Sequence, residues 1–473
     1  MSANTLEQDP STPASRWSQC LAEDSRPIPD YMSRRYPLDL DAAGVDFRVD
    51  AKLFTSREAQ DEERERLWKT VWQIACREND VPNNGDYIEY EIAGISILVV
   101  RDLTGKIRAF RNACTHRGTA VAGGSGNLRC FVCPYHGWTF ALDGSLRNIP
   151  GEWDFPHVDK SKQGLKPCLA ESFHGWVFIN LDVNAMPLRE FLGDVYELMP
   201  QRPIQRMWKH YHLGMVLNCN WKIMAHTFME AYHISRTHPQ IAAFVGDIYA
   251  EIDFIGRHTR QKGGVGTPSV LHGKTYTPQE TLSQSLAFNT GRFGDAETAL
   301  DEEVAPAVVP DGKPIRQVMA EIVRNQMSDS GIDLDNVSDT EILDSMPWSI
   351  FPNASLLNHA PGQMNFRFRP HGEDPNFCLF EIMALKAVPD DQPLPRDIGM
   401  IMAKPGEILK DYAEKIGAAG ALLDQDIDNA VAEQKGLNSG IEQIVLARRL
   451  ESVIAWFQHN LAQWIEQHPA SAN

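Results

Sequence analysis

The sequence predicts an α+β protein in two unlike parts, a small antiparallel β domain followed by a larger domain that mixes helices and strands. Three observations carry this. At 473 residues the chain exceeds one ordinary domain. From 71 to about 181 it reads as short β-rich runs punctuated by Gly85-Asp86, Gly94, Gly105, Gly123-Gly124 and Asp143-Gly144. Beyond Pro187 helical and strand patterns mix without a repeat period. The boundaries drawn on this basis are 1–50 for an N-terminal arm, 51–185 for the β domain and 186–473 for the second domain.

The arm opens on a Ser/Thr/Pro-rich stretch expected to be loose and continues through a Pro/Arg/Asp-rich segment without periodicity. Thr55 to Glu58 reads as a capping box that opens a charged helix ending near Leu67-Trp68. Residues 87–92 alternate like a half-exposed strand, whereas 95–100 and 175–181 are continuous apolar runs expected to form buried strands. Residues 256–345 are rich in Gly, Thr, Asp and Pro, and a loop region of that length is expected to act as a lid or channel wall. Near the C-terminus Leu446, Leu450, Val453, Ile454, Phe457 and Leu461 share one helical face, the pattern of a core helix.

Within the β-rich stretch, Cys114-Thr-His116 and Cys133-Pro-Tyr-His136 are separated by sixteen residues. Two thiolates and two imidazoles satisfy tetrahedral zinc, but zinc fingers usually draw a cysteine pair from one hairpin and a histidine pair from the next helix. Here each short segment supplies one of each. That order fits a Rieske [2Fe-2S] centre, in which imidazoles replace thiolates on one iron and raise its potential. Arg117-Gly118 and Gly137-Trp138 follow the two pairs and fit tight loops presenting ligands from one tip. Cys130 reads as a buried or loop thiol outside the ligand set.

A formal net charge of -18 argues against nucleic acid or an anionic membrane as partner. The eight cysteines are spread thinly, so a disulfide framework is not expected. No apolar run approaches the ~20 residues that span a bilayer. The opening residues show neither a basic nor an apolar leader region, and the cytoplasm is the expected location.

Downstream, Asn220-Trp221-Lys222 leads into a stretch containing Glu230, Tyr232, His233, His238 and Pro239. In a regular helix positions 233 and 238 lie about 140° apart around the axis, so both can face one ion only where the helix ends or distorts. Pro239 favours an ending there.

This pair, its surroundings and the two Cys/His loops resemble the Rieske non-heme iron oxygenases, the terminal α subunits of ring-hydroxylating systems, over most of residues 50–455. The resemblance implies a helix-grip-like catalytic domain holding mononuclear Fe(II) in a 2-His-1-carboxylate triad, with positions left for O2 beside the substrate. It carries the imidazole ligands to His233 and His238. The carboxylate should precede a Gln-x-Gly-Leu run, here Gln434-Lys435-Gly436-Leu437; the family spacing selects Asp426, with Asp424 and Asp428 as neighbouring alternatives. Glu230 takes the place of the acidic residue that links a mononuclear-site histidine to a Rieske histidine of the next subunit. Many relatives have Glu-Asn where this chain has His226-Thr227; His226 is expected to be a satisfied core histidine, with a polar contact near the iron as the alternative.

The resemblance further implies a homotrimer (α3) or an α3β3 assembly with a small subunit, electrons from a separate reductase or ferredoxin docking near His116 and His136, and an aromatic or other hydrophobic organic substrate. Dihydroxylation, monohydroxylation and oxidative demethylation all use such a triad. Gly263-Gly264-Val265-Gly266 lacks the strand-to-helix setting of a nucleotide loop. The stretch with Leu356, Leu357, Met364 and Phe366 reads as an apolar pocket wall or a core strand, and Arg367 and Arg369 read as surface strand charges or partners for a substrate carboxylate.

Overall fold

The computed structural model describes residues 13–199, 206–246, 248, 250–289, 307–344, 346–360 and 362–468; the first part of the loose opening stretch and part of 256–345 lie outside the described residues. Strand β1 (Arg48–Asp50) precedes the metal-loop domain, whose strands are β2 (Gln73–Arg77), β3 (Asp86–Ile92), β4 (Ile95–Arg101), β5 (Ile107–Arg111), β6 (Ser125–Asn127), β7 (Phe131–Val132), β8 (Thr139–Phe140), β9 (Leu146–Asn148), β10 (Pro167–Phe173) and β11 (Trp176–Asn180). They form an antiparallel sheet in the order β2-β11-β10-β5-β4-β3-β6 and a small sheet β7-β8-β9.

Alternation along β4 divides this domain into two cores. Ile97 and Val99 point into the large core with Trp72 and Trp176, while Leu98 and Val100 point into a second core with Phe110, Phe131, Trp138, Cys114 and Cys133. The metal loops therefore have an apolar base of their own.

The second domain is built on β12 (Met207–Leu217), β13 (Glu251–Ile255), β14 (His258–Lys262), β15 (Trp348–Ile350), β16 (Ala354–His359), β17 (Gly362–Pro370), β18 (Cys378–Ala387) and β19 (Ile401–Met402). Their order is β13-β14-β15-β16-β17-β18-β12-β19, with β12 and β19 parallel and the other pairs antiparallel. Strand β20 (Gln443–Val445) returns to pair with β1.

Six helices matter for the site: α1 (Arg57–Glu63), α2 (Trp221–His226), α3 (Ile234–Thr237), α4 (Pro278–Asn289), α5 (Ala419–Leu437) and α6 (Ser452–Gln467). The expected box at Thr55 is displaced by one residue, because Ser56 is the extended residue whose side chain accepts from the Ala59 amide. The helix then closes in a π-turn at Arg64–Trp68. Its end is tied to the second domain: Trp221 Nε1 donates to Glu63 Oε2 at 2.8 Å, and Lys222 pairs with the same carboxylate. In α6, Val453, Ile454, Phe457 and Leu461 are buried, as the helical face predicts, and Trp464 is buried with them. Leu446 and Leu450, placed on the same helical face by the sequence, lie ahead of that helix, the first buried and the second half-buried.

The arm is laced onto the second domain. Ser25 N donates to Asp339 Oδ2 at 2.6 Å, Arg26 Nε to Asp335 O at 2.8 Å, and Arg260 Nη1 to Tyr31 O at 2.9 Å. Among the described residues no helix is long and apolar enough to cross a membrane.

Candidate metal centres

The two Cys/His loops have the same backbone. Cys114 N donates to Thr119 O at 2.8 Å and Gly118 N to Cys114 O at 2.7 Å; Cys133 N donates to Trp138 O at 2.8 Å and Gly137 N to Cys133 O at 2.9 Å. Gly118 and Gly137, each four residues after its cysteine, have φ of 82° and 73°, a left-handed conformation that glycine alone adopts without strain. The two cysteines are buried and adjacent, and burial followed by contact with Cys133 raises the Cys114 thiol above its ordinary range. The His116 and His136 rings lie 4.7 Å apart at the tip. His116 stacks on Trp138 at 4.8 Å, and its buried Nδ1 has no protein partner. Two inner thiols and two outer imidazoles suit a cluster in which one iron takes both thiolates and the other both imidazoles. Cys130 is half-buried and outside this set.

The second centre forms where a helix breaks. His233 precedes the single turn α3 and His238 follows it in a non-helical conformation (φ -122°, ψ 56°), so the chain ends the helix between them as the angular argument requires. Asp426 comes from α5, whose buried stripe is Leu423, Asp426, Ala430, Gln434 and Leu437. One ligand atom from each of His233, His238 and Asp426 lies within 4.8 Å of the others. Asp426 Oδ1 is 2.8 Å from His238 Nε2 and 3.6 Å from His233 Nε2. Asp424 instead accepts from the Leu409 and Lys410 amides at 2.7 and 2.8 Å, and Asp428 is exposed.

Each histidine is aimed through its other nitrogen. Glu230 Oε1 is 2.5 Å from His233 Nδ1, and Gln425 Oε1 is 2.8 Å from His238 Nδ1, which leaves both Nε2 atoms turned to Asp426. Such partners fix tautomer and ring orientation. Burial lowers the His233 pKa, but the hydrogen bond and charge of Glu230 outweigh it and the net direction is upward. Asn220 N donates to Gln434 Oε1 at 2.7 Å, so the Gln-x-Gly-Leu run joins the start of α2 to α5, the helix that carries Asp426.

Comparison with known proteins agrees with both centres. Residues 71–159 match the Rieske [2Fe-2S] domain, and residues 204–467 match the ring hydroxylating alpha subunit (catalytic domain). The chain belongs to the ring-hydroxylating alpha-subunit family. This family couples a Rieske cluster to a catalytic domain that uses a mononuclear iron. The chain is 36% identical over 208 residues to the anthranilate 1,2-dioxygenase large subunit of Acinetobacter baylyi, covering 41% of this chain and 42% of that one. It is 32% identical over 198 residues to the chloroplastic choline monooxygenase of Beta vulgaris, covering 41% and 43%. The chain thus spans less than half the length of these two curated relatives. Among solved structures, a quaternary ammonium Rieske monooxygenase superposes with a TM-score of 0.64 at 20% identity over 91% of this chain and 100% of that one. Naphthalene 1,2-dioxygenase from Rhodococcus sp. gives 0.57 at 21% over 90% and 96%.

Around the triad of this family member lies a cavity of about 170 Å³ lined by His226, Glu230, His233, Asp426, Glu433 and Glu451, among others. Burial, then Glu451 and Glu230, push the Glu433 carboxyl up to about 7. His226 is buried edge-on to Phe54 and Phe457 and bonds Gln458 through Nε2 at 2.9 Å; burial, then Lys222, hold it down at about 3. Both readings of His226 therefore hold in part: it is a bonded core histidine that also lines the cavity. The Thr227 hydroxyl turns back to Ile223 O, and Tyr232 is 48% exposed.

Strand parity corrects two expectations. Phe366 and Phe368 of β17 pack on Phe228 beside α2, at 4.2 and 5.4 Å between rings, so that sheet face is the one toward the iron site. Leu357, Met364 and Phe366 share it, while Leu356 pairs with Asn365 on the opposite face. Arg367 and Arg369 also lie on that opposite face. They are neither surface charges nor turned to the iron site: both are buried, and their Nε atoms lie 2.8 and 2.7 Å from Glu381 Oε1. Gln425, Glu433, Glu451 and Gln458 escaped sequence reasoning. For Gln425 its adjacency to Asp426 was the available signal.

Proposed function

We propose that this chain is the terminal oxygenase component of a multicomponent system, taking electrons from a separate reductase or ferredoxin and using O2 to hydroxylate an aromatic or other hydrophobic organic substrate. The observation that carries this reading is the convergence of His233, His238 and Asp426 within 4.8 Å, in a chain that also holds a two-thiol, two-imidazole tip. In this reading Cys114, His116, Cys133 and His136 hold the Rieske cluster, and His233, His238 and Asp426 hold the mononuclear iron. When bound, the cluster supplies single electrons and the ferrous ion supplies O2 activation.

The chain's own groups do the rest. Glu230 holds the Nδ1 proton of His233, and Gln425 that of His238, so that the ligating nitrogens stay fixed. Phe228 packs on Phe366, and Leu357 and Met364 share that sheet face; this reading assigns the apolar face to a hydrophobic substrate. Helix α4 brings Phe288 to 5.7 Å from Phe244, just after His238, which supports the lid or channel-wall role for part of 256–345.

In this reading electrons pass between subunits, and the chemistry of the two sites supports it. The tip carries exposed aromatic rings and the Arg117 guanidinium, which lies over Tyr135 at 5.1 Å, with Trp153 85% exposed, whereas the triad cavity carries Glu230, Glu433 and Glu451. These surfaces complement each other, which supports a head-to-tail trimer, alone or with a small subunit, with Glu230 linking His233 to a tip histidine of the next copy. The cytoplasm is the proposed compartment. Monooxygenation or oxidative demethylation is the second reading, favoured by the likeness to a choline monooxygenase.

The test is metal content with turnover. Purified protein should hold a third iron beyond the cluster's pair, give the rhombic electron-spin signal of a reduced imidazole-ligated cluster, and consume O2 with a surrogate reductase and a panel of aromatic acids, amines and polycyclic compounds. Zinc in place of iron, or no rhombic signal, overturns the reading. A monomer with full turnover overturns the trimer.

A further inference from the structure

The sheet face turned away from the iron carries a second cavity, of about 540 Å³, within the size range of small-molecule sites. Leu334, Val337 and Val388 contribute apolar walls. Its floor is polar and buried. Asn358 of β16 pairs in register with Gln363 of β17, and both side chains line the cavity at 2% and 4% exposure. Neither Nδ2 nor Oδ1 of Asn358 has a hydrogen-bond partner, and neither does Nε2 of Gln363. The Gln363 Oε1 is taken by Asn365 Nδ2 at 3.3 Å. Exchanging the oxygen and nitrogen of Asn358 supplies no partner, since both ends are unbonded.

Nine in ten or more buried polar groups in folded proteins are bonded, and an unbonded one is costly. Three unbonded carboxamide atoms on one cross-strand pair, under apolar walls, are a recognition surface. The donor and acceptor of Asn358 match the edge of another amide. A ligand carbonyl there accepts from Asn358 Nδ2 and Gln363 Nε2, while the adjacent ligand N–H donates to Asn358 Oδ1. The mouth carries Asp333, Asp390 and Asp391 against Arg206, which is 3.7 Å from Asp390. That balance disfavours an anion.

We propose that this cavity, framed by β16, β17 and the 331–337 and 387–392 segments, binds an uncharged amide or lactam with an apolar body, separately from the iron centre. Strand parity makes it separate: Asn358 and Gln363 alternate with Leu357 and Met364, which face the iron side.

The test is calorimetric titration of the metal-loaded full chain with benzamide. Saturable binding is expected. Acetophenone, which keeps the carbonyl and lacks the N–H, should bind several-fold more weakly. Asn358→Leu and Gln363→Leu should each weaken benzamide binding at least tenfold; Val388→Trp, which fills the cavity from its wall and leaves the floor intact, should do the same if a floor variant fails to fold. Asp426→Ala should leave benzamide binding unchanged, which places the site away from the iron. Absence of binding at ten millimolar benzamide, unchanged binding in Gln363→Leu and Val388→Trp, or loss of binding in Asp426→Ala would each overturn the proposal.

Discussion

The two metal sites are built in opposite ways. At the tip, four candidate ligands come from two loops with the same pair of backbone hydrogen bonds and the same left-handed glycine, so local chain geometry shapes each loop and a small shared core brings the two together. At the triad, two histidines flank a broken helix, and the carboxylate arrives from α5 through tertiary packing held by the Asn220 to Gln434 bond. Each loop of the tip is a local motif seated on a core of its own. The triad is a property of the whole catalytic domain, and it depends on contacts that the ligands do not make themselves.

The sharpest way to break this comparison is to remove one site and watch the other. Asp426→Ala is expected to abolish turnover and lower the iron content by one per chain, while the visible absorption and electron-spin signal of the cluster stay intact. Retained mononuclear iron would move the third ligand elsewhere. Glu230→Gln comes next. It keeps a hydrogen-bonding oxygen beside His233 Nδ1 but loses the charge, and roughly 10–100-fold slower oxidation of the reduced cluster in single turnover is expected, the usual scale for a partner of a metal ligand. An unchanged rate would remove Glu230 from the route between the sites. Gln425→Leu leaves His238 Nδ1 without its acceptor and should weaken mononuclear iron binding by about tenfold, with no effect on the cluster.

The same contrast explains what the sequence reveals. The tip could be read from residues because its spacing is short and its glycines are diagnostic, and the buried strands β4 and β11 announced themselves as apolar runs of the right length. The break between His233 and His238 was also visible, from helical angle and Pro239. Asp426 was separable from Asp424 and Asp428 by family spacing, but a physical reason lay in the sequence as well: 423, 426, 430, 434 and 437 form one helical stripe, and the other two aspartates fall off it. What stayed hidden needs the sheet order. Arg367 and Arg369 look like surface charges until Glu381 of β18 is placed beside them, and Leu356 looks like Leu357 until strand register assigns each to its face.

The smallest effect sharpens the comparison within the tip itself. Alanine at Gly118 or Gly137 must adopt a left-handed backbone, a cost on the order of 1–2 kcal/mol. The two loops differ in what surrounds that added methyl. At Gly118 nothing lies within 4 Å, whereas at Gly137 the new Cβ would stand 3.2 Å from Pro150 Cγ. Gly118→Ala therefore isolates the backbone cost, and Gly137→Ala adds a contact that Pro150 must relieve. Thermal bleaching of the cluster should occur earlier in both variants and earliest in Gly137→Ala, with mononuclear iron content unchanged in each. If neither variant shifts bleaching, the matched turns do not set the ligand positions, and the tip would owe its geometry to packing on its apolar base, as the triad owes its own to α5.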